Sequence, residues 1–245
     1  MGNRICLLFL LLFYANLAHG KTQISVVTEV SSLAYVEKGK VVGLATQLMH
    51  EVMDEAGFSY ELRILPWKRA YLEAQTDSHT LIYALSRTTE REDKFHWVGK
   101  IIPLNYQFYR LTSRPEIKGN SLDELKRYRV TTSRDGVIAS FLQRHEFSQI
   151  AYVGGLEQEM KLMEAGRADL IILSGNSLQH ILKLTQMSSN MLQSVFDISE
   201  ISSASYMAFS KNTPLAVVVE AQAAYQRVVD DGRYMEIMRS RLETE

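Results

Sequence analysis

The chain has 245 residues, with 27 basic side chains against 28 acidic ones and a formal charge of −1. That balance, without any basic block, argues against a nucleic-acid partner. The single cysteine, Cys6, rules out an internal disulfide and a thiolate metal cluster.

The first twenty residues read as a secretory signal peptide. Arg4 supplies the positive start, Ile5 to Tyr14 are uninterrupted apolar, and Ala18-His19-Gly20 offers small residues for cleavage near Gly20. The apolar stretch is too short for a membrane span. Cys6 lies early within it with no cleavage pattern ahead, which argues against a lipid anchor. The exported chain of about 225 residues then has no cysteine and depends on its core for stability, as suits a bacterial periplasm. No later apolar run approaches membrane-spanning length, and there is no repeat or low-complexity tract.

Ile24 to Thr28 predicts a buried strand that ends at Glu29 and a polar loop. From Gly43 a helix follows, with Leu44, Leu48 and Val52 on one face, and Gly57 stands where a C-terminal cap is expected. Phe58, Tyr60, Leu62 and Ile64 alternate with polar residues, a strand with one buried face. Pro66 suits the first turn of a helix through Trp67 and Tyr71, and residues 81–85 make a further strand. This β-α-β-α-β order signals an α/β layer with parallel strands.

A second block follows. Ser121-Leu122-Asp123-Glu124 is a capping box. Strands are predicted at 129–132, 150–153 and 168–173, and helices over 136–144, 156–165 and through Leu178 and Ile181. The tail returns with a strand at 205–210 and helices over about 214–230 and 233–241. No flexible linker separates the blocks. Two lobes joined by extended strands near 106–112 and 203–209 are therefore expected, with a ligand cleft between them.

The most informative segment is Ser86-Arg87-Thr88-Thr89-Glu90-Arg91, where a buried strand empties into hydroxyls and two arginines. A guanidinium fork can give a carboxylate two parallel hydrogen bonds. A solvated loop is the competing reading. Four stretches together resemble the extracytoplasmic solute-binding proteins of the amino-acid type, family 3. They are Lys40-Val41-Val42-Gly43-Leu44, the 86–91 segment, Ser121-Leu122-Asp123-Glu124-Leu125-Lys126, and Gly166-Arg167-Ala168-Asp169-Leu170. The 65–71 stretch resembles a branch whose ligands are less clear.

The resemblance implies a type II periplasmic-binding-protein-like fold, each lobe a mixed sheet flanked by helices, with two hinge strands. Lobe 1 would comprise 21–107 and 208–245, and lobe 2 would comprise 108–207. It further implies that Arg91 grips a ligand carboxylate, helped by Ser86 and groups near Thr88, with Arg87 assisting or ion-paired nearby. The loop Arg134-Asp135-Gly136 would open a helix whose N–H groups cap the same carboxylate. Here the usual hydroxyl is missing and Asp135 stands beside it. After the strand at 168–173 this chain has Ser174-Gly175-Asn176, where amino-acid binders commonly carry an acid for the α-ammonium. Glu29 is then a possible replacement from the other lobe. Tyr35 and Trp67 are expected as ligand-facing aromatics, against simple loop or core packing, whereas Trp97 is expected to pack within lobe 1.

The histidines of the exported chain lie far apart, with no pair at helical spacing, so no metal is expected. No nucleophile elbow, phosphate loop or cofactor motif occurs. The expected role is a monomeric periplasmic receptor that hands a small polar solute with a carboxylate to an inner-membrane ABC permease. The alternatives are a lyase of the same fold and a ligand-sensing input module. Glu29 is the one motif-placed acid available to a lyase, and a sensor is normally fused to a membrane segment, whereas this sequence ends at Glu245.

Overall fold

Period-two apolar runs separated by helical ones fold into eight strands of one sheet with helices on its faces. The computed structural model describes residues 22–134 and 136–243. The expected leader with Cys6 and Gly20 lies outside them, as does Asp135.

The first half runs β1 (Gln23–Thr28), a small hairpin of β2 (Tyr35–Glu37) and β3 (Lys40–Val42), α1 (Leu44–Glu55), β4 (Ser59–Ile64), α2 (Trp67–Thr76) and β5 (Thr80–Ser86). The hairpin replaces what the sequence reads as loop. Lys38 at φ 51° and Gly39 at φ 77° make its tight turn. Gly43 is obligatory: its φ is 116°, and a Cβ would lie 2.4 Å from the Leu33 carbonyl oxygen. α1 buries Ala45, Leu48, Met49, Val52 and Met53, and Gly57 follows at φ 69°.

β6 (Phe95–Leu111) then leads into the second half: α3 (Leu122–Leu125), β7 (Val130–Ser133), α4 (Val137–Arg144), β8 (Ile150–Val153), α5 (Leu156–Glu164), β9 (Leu170–Ser174) and α6 (Gly175–Thr185). β10 (Leu192–Ser210) returns to the first half, followed by α7 (Leu215–Asp230) and α8 (Arg233–Glu243). The capping box closes on one side only. Ser121 accepts from the Glu124 N–H at 3.3 Å, but the Glu124 carboxylate accepts from the N–H of Asn120, one residue earlier than the motif requires.

Strand order is β4-β1-β5-β10-β6-β9-β7-β8. Parallel β4, β1 and β5 form one lobe, and β7 pairs parallel with both β8 and β9 in the other. β6 and β10 pair antiparallel from Phe95–Ser210 to Leu111–Leu192 and so belong to both lobes. They are 17 and 19 residues long, much longer than the joining strands the sequence suggests. Their register shifts between Ile198 and Ser203, an interruption midway along the ribbon that joins the lobes.

Asp169 explains the Gly-Arg-Ala-Asp stretch physically. Its carboxylate accepts from Arg129 Nε at 2.8 Å, from the Arg129 backbone N–H at 3.0 Å and from Arg114 Nη1 at 2.6 Å. These bonds hold it well below the usual carboxylate range. They tie the start of β9 to the start of β7 and to the loop after β6.

Candidate ligand site

β5 does not reach its end as a regular strand. Ala84 sits at φ 58°, and the pairing with β10 slips there, β5 carrying one extra residue between Leu85 and Ile82 opposite Tyr206 and Ala208. A left-handed alanine costs about 1–2 kcal/mol, which the surrounding pairing must offset. Just beyond it the buried Ser86 hydroxyl hydrogen-bonds Tyr106 of β6. The chain then turns through a 3₁₀ helix over Thr89–Lys94.

That turn brings Arg91 back over the strand end. Its Nη1 donates to the Ser86 carbonyl at 3.0 Å. The guanidinium lies 5.0 Å from the Trp67 ring centre and 5.3 Å from that of Tyr71, both on α2. Burial pulls the Arg91 pKa down, and the Tyr71 hydroxyl, within hydrogen-bonding reach, pulls it back. Among the described residues no ion pair engages Arg91.

Glu29 follows β1, whose last residue, Thr28, is pinned by a 3.1 Å hydrogen bond to the Tyr83 carbonyl. Only part of the Glu29 side chain is covered, yet loss of water around the carboxyl raises its pKa to about 7, and the Arg91 charge counters this only in part. The site thus holds a cation and an acid that influence each other without pairing.

The other expected site residues divide. Arg87 is committed elsewhere: its Nε donates to Glu92 at 2.8 Å and its guanidinium covers Trp97 and Tyr206 at 5.0 and 5.2 Å. Of the two roles expected for it, the ion pair is the one present. Thr88 donates its hydroxyl to Glu90 at 3.1 Å. Trp67, Tyr71, Phe95, Trp97 and Tyr206 form a ladder of ring contacts 5.1–5.8 Å apart, with Arg91 at one end and Arg87 at the other. Trp97 packs in this ladder, as expected.

In the second lobe Arg134 rests on Tyr152 at 5.2 Å, and Gly136 is the N-cap of α4. Ser133, just before them, donates to Glu159 at 3.0 Å, and burial raises that carboxyl to about 7. Ser174 caps α6 by accepting from the Ser177 N–H at 3.3 Å. Asn176 is buried, and its Oδ1 has no partner among the described residues. Tyr35 contacts the His180 ring at 5.0 Å.

The lobes touch. Ser32 and Ser177 hydroxyls are 3.3 Å apart, and Arg144 Nη1 reaches Glu90 at 3.4 Å while its Nη2 bonds Glu200 at 2.9 Å. The structure gathers Arg91, Ser86, Trp67 and Glu29 into one cluster, and it places Tyr35 with Asn176 in a separate interlobe groove. That groove, about 890 Å³, does not include Arg91.

Sequence reasoning missed Tyr71 and Tyr106. Tyr71 was findable, since it stands four residues after Trp67 on one helix face. Tyr106 carries no local signal, because only the sheet brings it to Ser86. Among the described residues no group of three His, Cys, Asp or Glu side chains could hold a metal ion, and no helix is long and apolar enough to cross a membrane.

No family model matches the chain, and no curated protein matches it. Solved structures do. An ancestral arginine-binding protein bound to arginine superposes with a TM-score of 0.76 at 15% identity, covering 91% of this chain and 99% of that one. This chain has the two-lobed periplasmic-binding-protein fold. The arginine-, lysine-, histidine-binding protein ArtJ from Geobacillus stearothermophilus shares that fold with a TM-score of 0.75, at 21% identity over 89% of this chain and 94% of its own. So does a histidine kinase sensor domain similar to periplasmic binding proteins, with a TM-score of 0.78, 15% identity, and 90% and 96% of the two chains covered. Among these neighbours the fold is thus shared by amino-acid-binding proteins and by a kinase sensor domain.

Proposed function

We propose that this protein is a periplasmic solute receptor that captures a small carboxylate-bearing, amino-acid-like solute by hinge closure and presents it to an ABC-type permease. One observation carries the reading: Arg91, desolvated, stands near the acid Glu29, and among the described residues neither has an ion pair. A ligand bearing both a carboxylate and a cationic group complements the two. Its carboxylate takes the guanidinium fork, and its cationic group returns Glu29 to the ionised state. Glu29 then fills the role that Ser174-Gly175-Asn176 leaves vacant. Contacts from both lobes favour closure around the ligand, because a ligand bridging the lobes binds the closed state better than the open one.

Capture is preferred over catalysis because, among the described residues, the site offers a single carboxyl flanked by a cation and aromatic rings, an arrangement suited to holding a charged solute. The sensor reading rests on the kinase-domain neighbour and shares the same ligand chemistry. The test is to incubate the exported protein with a metabolite pool and analyse bound and free fractions. One compound retained unaltered is the expected result. Turnover of a compound into a new one would overturn the proposal.

A further inference from the structure

The interlobe groove, about 890 Å³, lies between α1 of one lobe and α6 of the other. Its floor is apolar: Leu33 and Ile237 come from the first lobe, Leu182 and Met187 from the second. All but Met187 are buried side chains that the groove reaches at their edges. Of its ionisable wall groups, two are engaged by neighbours. His50 Nδ1 bonds the Tyr60 hydroxyl at 2.6 Å, and Glu51 is ion-paired to Arg233 at 3.0 Å. His180 meets Tyr35 ring to ring at a 47° tilt, and burial, then the neighbouring Lys183 charge, lowers its pKa and so disfavours its charged form. Lys183 is different. It lies on the rim, exposed, with no ion pair among the described residues. An apolar floor of this size with one uncompensated cation at the rim has the anatomy of a small-molecule site.

From this geometry we infer that the groove between α1 and α6 is a second binding site, for an amphipathic organic anion. Its apolar body lies on Leu33, Leu182, Met187 and Ile237, and its anionic head meets Lys183. Charge complementarity selects an anion, since the groove's one acid is already neutralised by Arg233. The walls come from different lobes, so the site exists as a whole only while the lobes face each other. An occupant therefore favours the closed arrangement through its better affinity for that state. The site contains neither Arg91 nor Glu29 and does not depend on the proposed role of either.

Decanoate is a suitable probe. Titration of the exported protein, followed calorimetrically and by amide shifts, should show one site, with shifts confined to the loop and hairpin around Leu33, α1, α6 with the turn after it, and α8 near Ile237. Lys183→Glu should weaken decanoate by roughly tenfold or more, because it replaces an attraction by a repulsion. Gln47→Trp, which fills the groove from the α1 side without touching Lys183, should also weaken it. Burial of the alkyl chain should give a negative heat-capacity change. Failure of decanoate to bind would overturn the inference. So would binding that both variants leave unchanged, or shifts scattered over the surface. Self-association through this face without decanoate binding would show a protein contact there and would equally refute it.

Discussion

Glu159 allows a quantitative test of how the second lobe is built. Its carboxyl is buried under β7 and is bonded by the Ser133 hydroxyl and backbone N–H, but burial outweighs them and raises its pKa from an ordinary 4.5 to about 7. An acid raised in this way binds its proton more tightly folded than unfolded. Its contribution to stability is therefore complete below about pH 4.5 and is lost as pH rises through 7. At about 1.4 kcal/mol per pH unit, that gap corresponds to roughly 3 kcal/mol. Glu159→Gln keeps the shape and an acceptor oxygen for Ser133 while removing the ionisation. The variant should exceed the parent by about 2–3 kcal/mol at pH 8 and match or trail it at pH 5. In a domain pair of this size that is a rise in Tm of roughly 5–10 °C at the higher pH. Glu29 titrates in the same range in both proteins, so the difference between variant and parent isolates Glu159. Urea melts at the two pH values measure it. A difference that is the same at both would show that Glu159 ionises freely in the folded state, and the burial argument would fail.

Other substitutions probe the site and the scaffold. Arg91→Ala should weaken the captured solute by about two to three orders of magnitude, from about 3–5 kcal/mol for a broken desolvated pair. Arg91→Lys should recover little, because an ammonium lacks the fork. Calorimetry on both variants decides this, and binding within threefold of the parent would remove Arg91 from the role. Asp169→Asn should cost about 2–4 kcal/mol in denaturant melts, allowing for the partial exposure of Arg129 and Arg114; a cost under about 1 kcal/mol would make the cluster a surface feature. Gly99→Ala would place a Cβ 2.3 Å from the Tyr225 ring and force α7 away from β6. A loss of about 1–3 kcal/mol is expected, and a neutral result would mean that the helix shifts freely.

Much of the fold was readable in the chain because β1, β4, β5 and their helices are local patterns: a short apolar run, a helical face, a glycine stop. Of β6 and β10, which hold the lobes together, only the stretches near 106–112 and 203–210 were. Gly99 and Pro103 break up the first as a sequence signal, while Ser, Asp and Glu residues mask the start of the second. Their strand character comes from pairing with each other over a separation of about a hundred residues, which no window registers. At the site, the spacing of Ser86 and Arg91 was informative because strand end and turn are consecutive. The fate of Arg87 was undecidable by spacing alone. Whether it faces solute or Glu92 depends on Trp97 and Tyr206, and the latter arrives from β10. Tyr35 and Asn176 reach the groove instead of the Arg91 cluster because the hairpin of β2 and β3, unread in the sequence, carries Tyr35 toward α6.

The aromatic ladder has a practical consequence. Both tryptophans of the protein, Trp67 and Trp97, belong to it, one beneath Arg91 and the other beneath Arg87. Intrinsic emission is therefore concentrated at this one place, and each indole is paired with a guanidinium whose field tunes its colour. A solute that draws Arg91 away from Trp67 should change the emission of one indole and leave the other as an internal reference. The molecule carries its own optical readout of occupancy, with no added label.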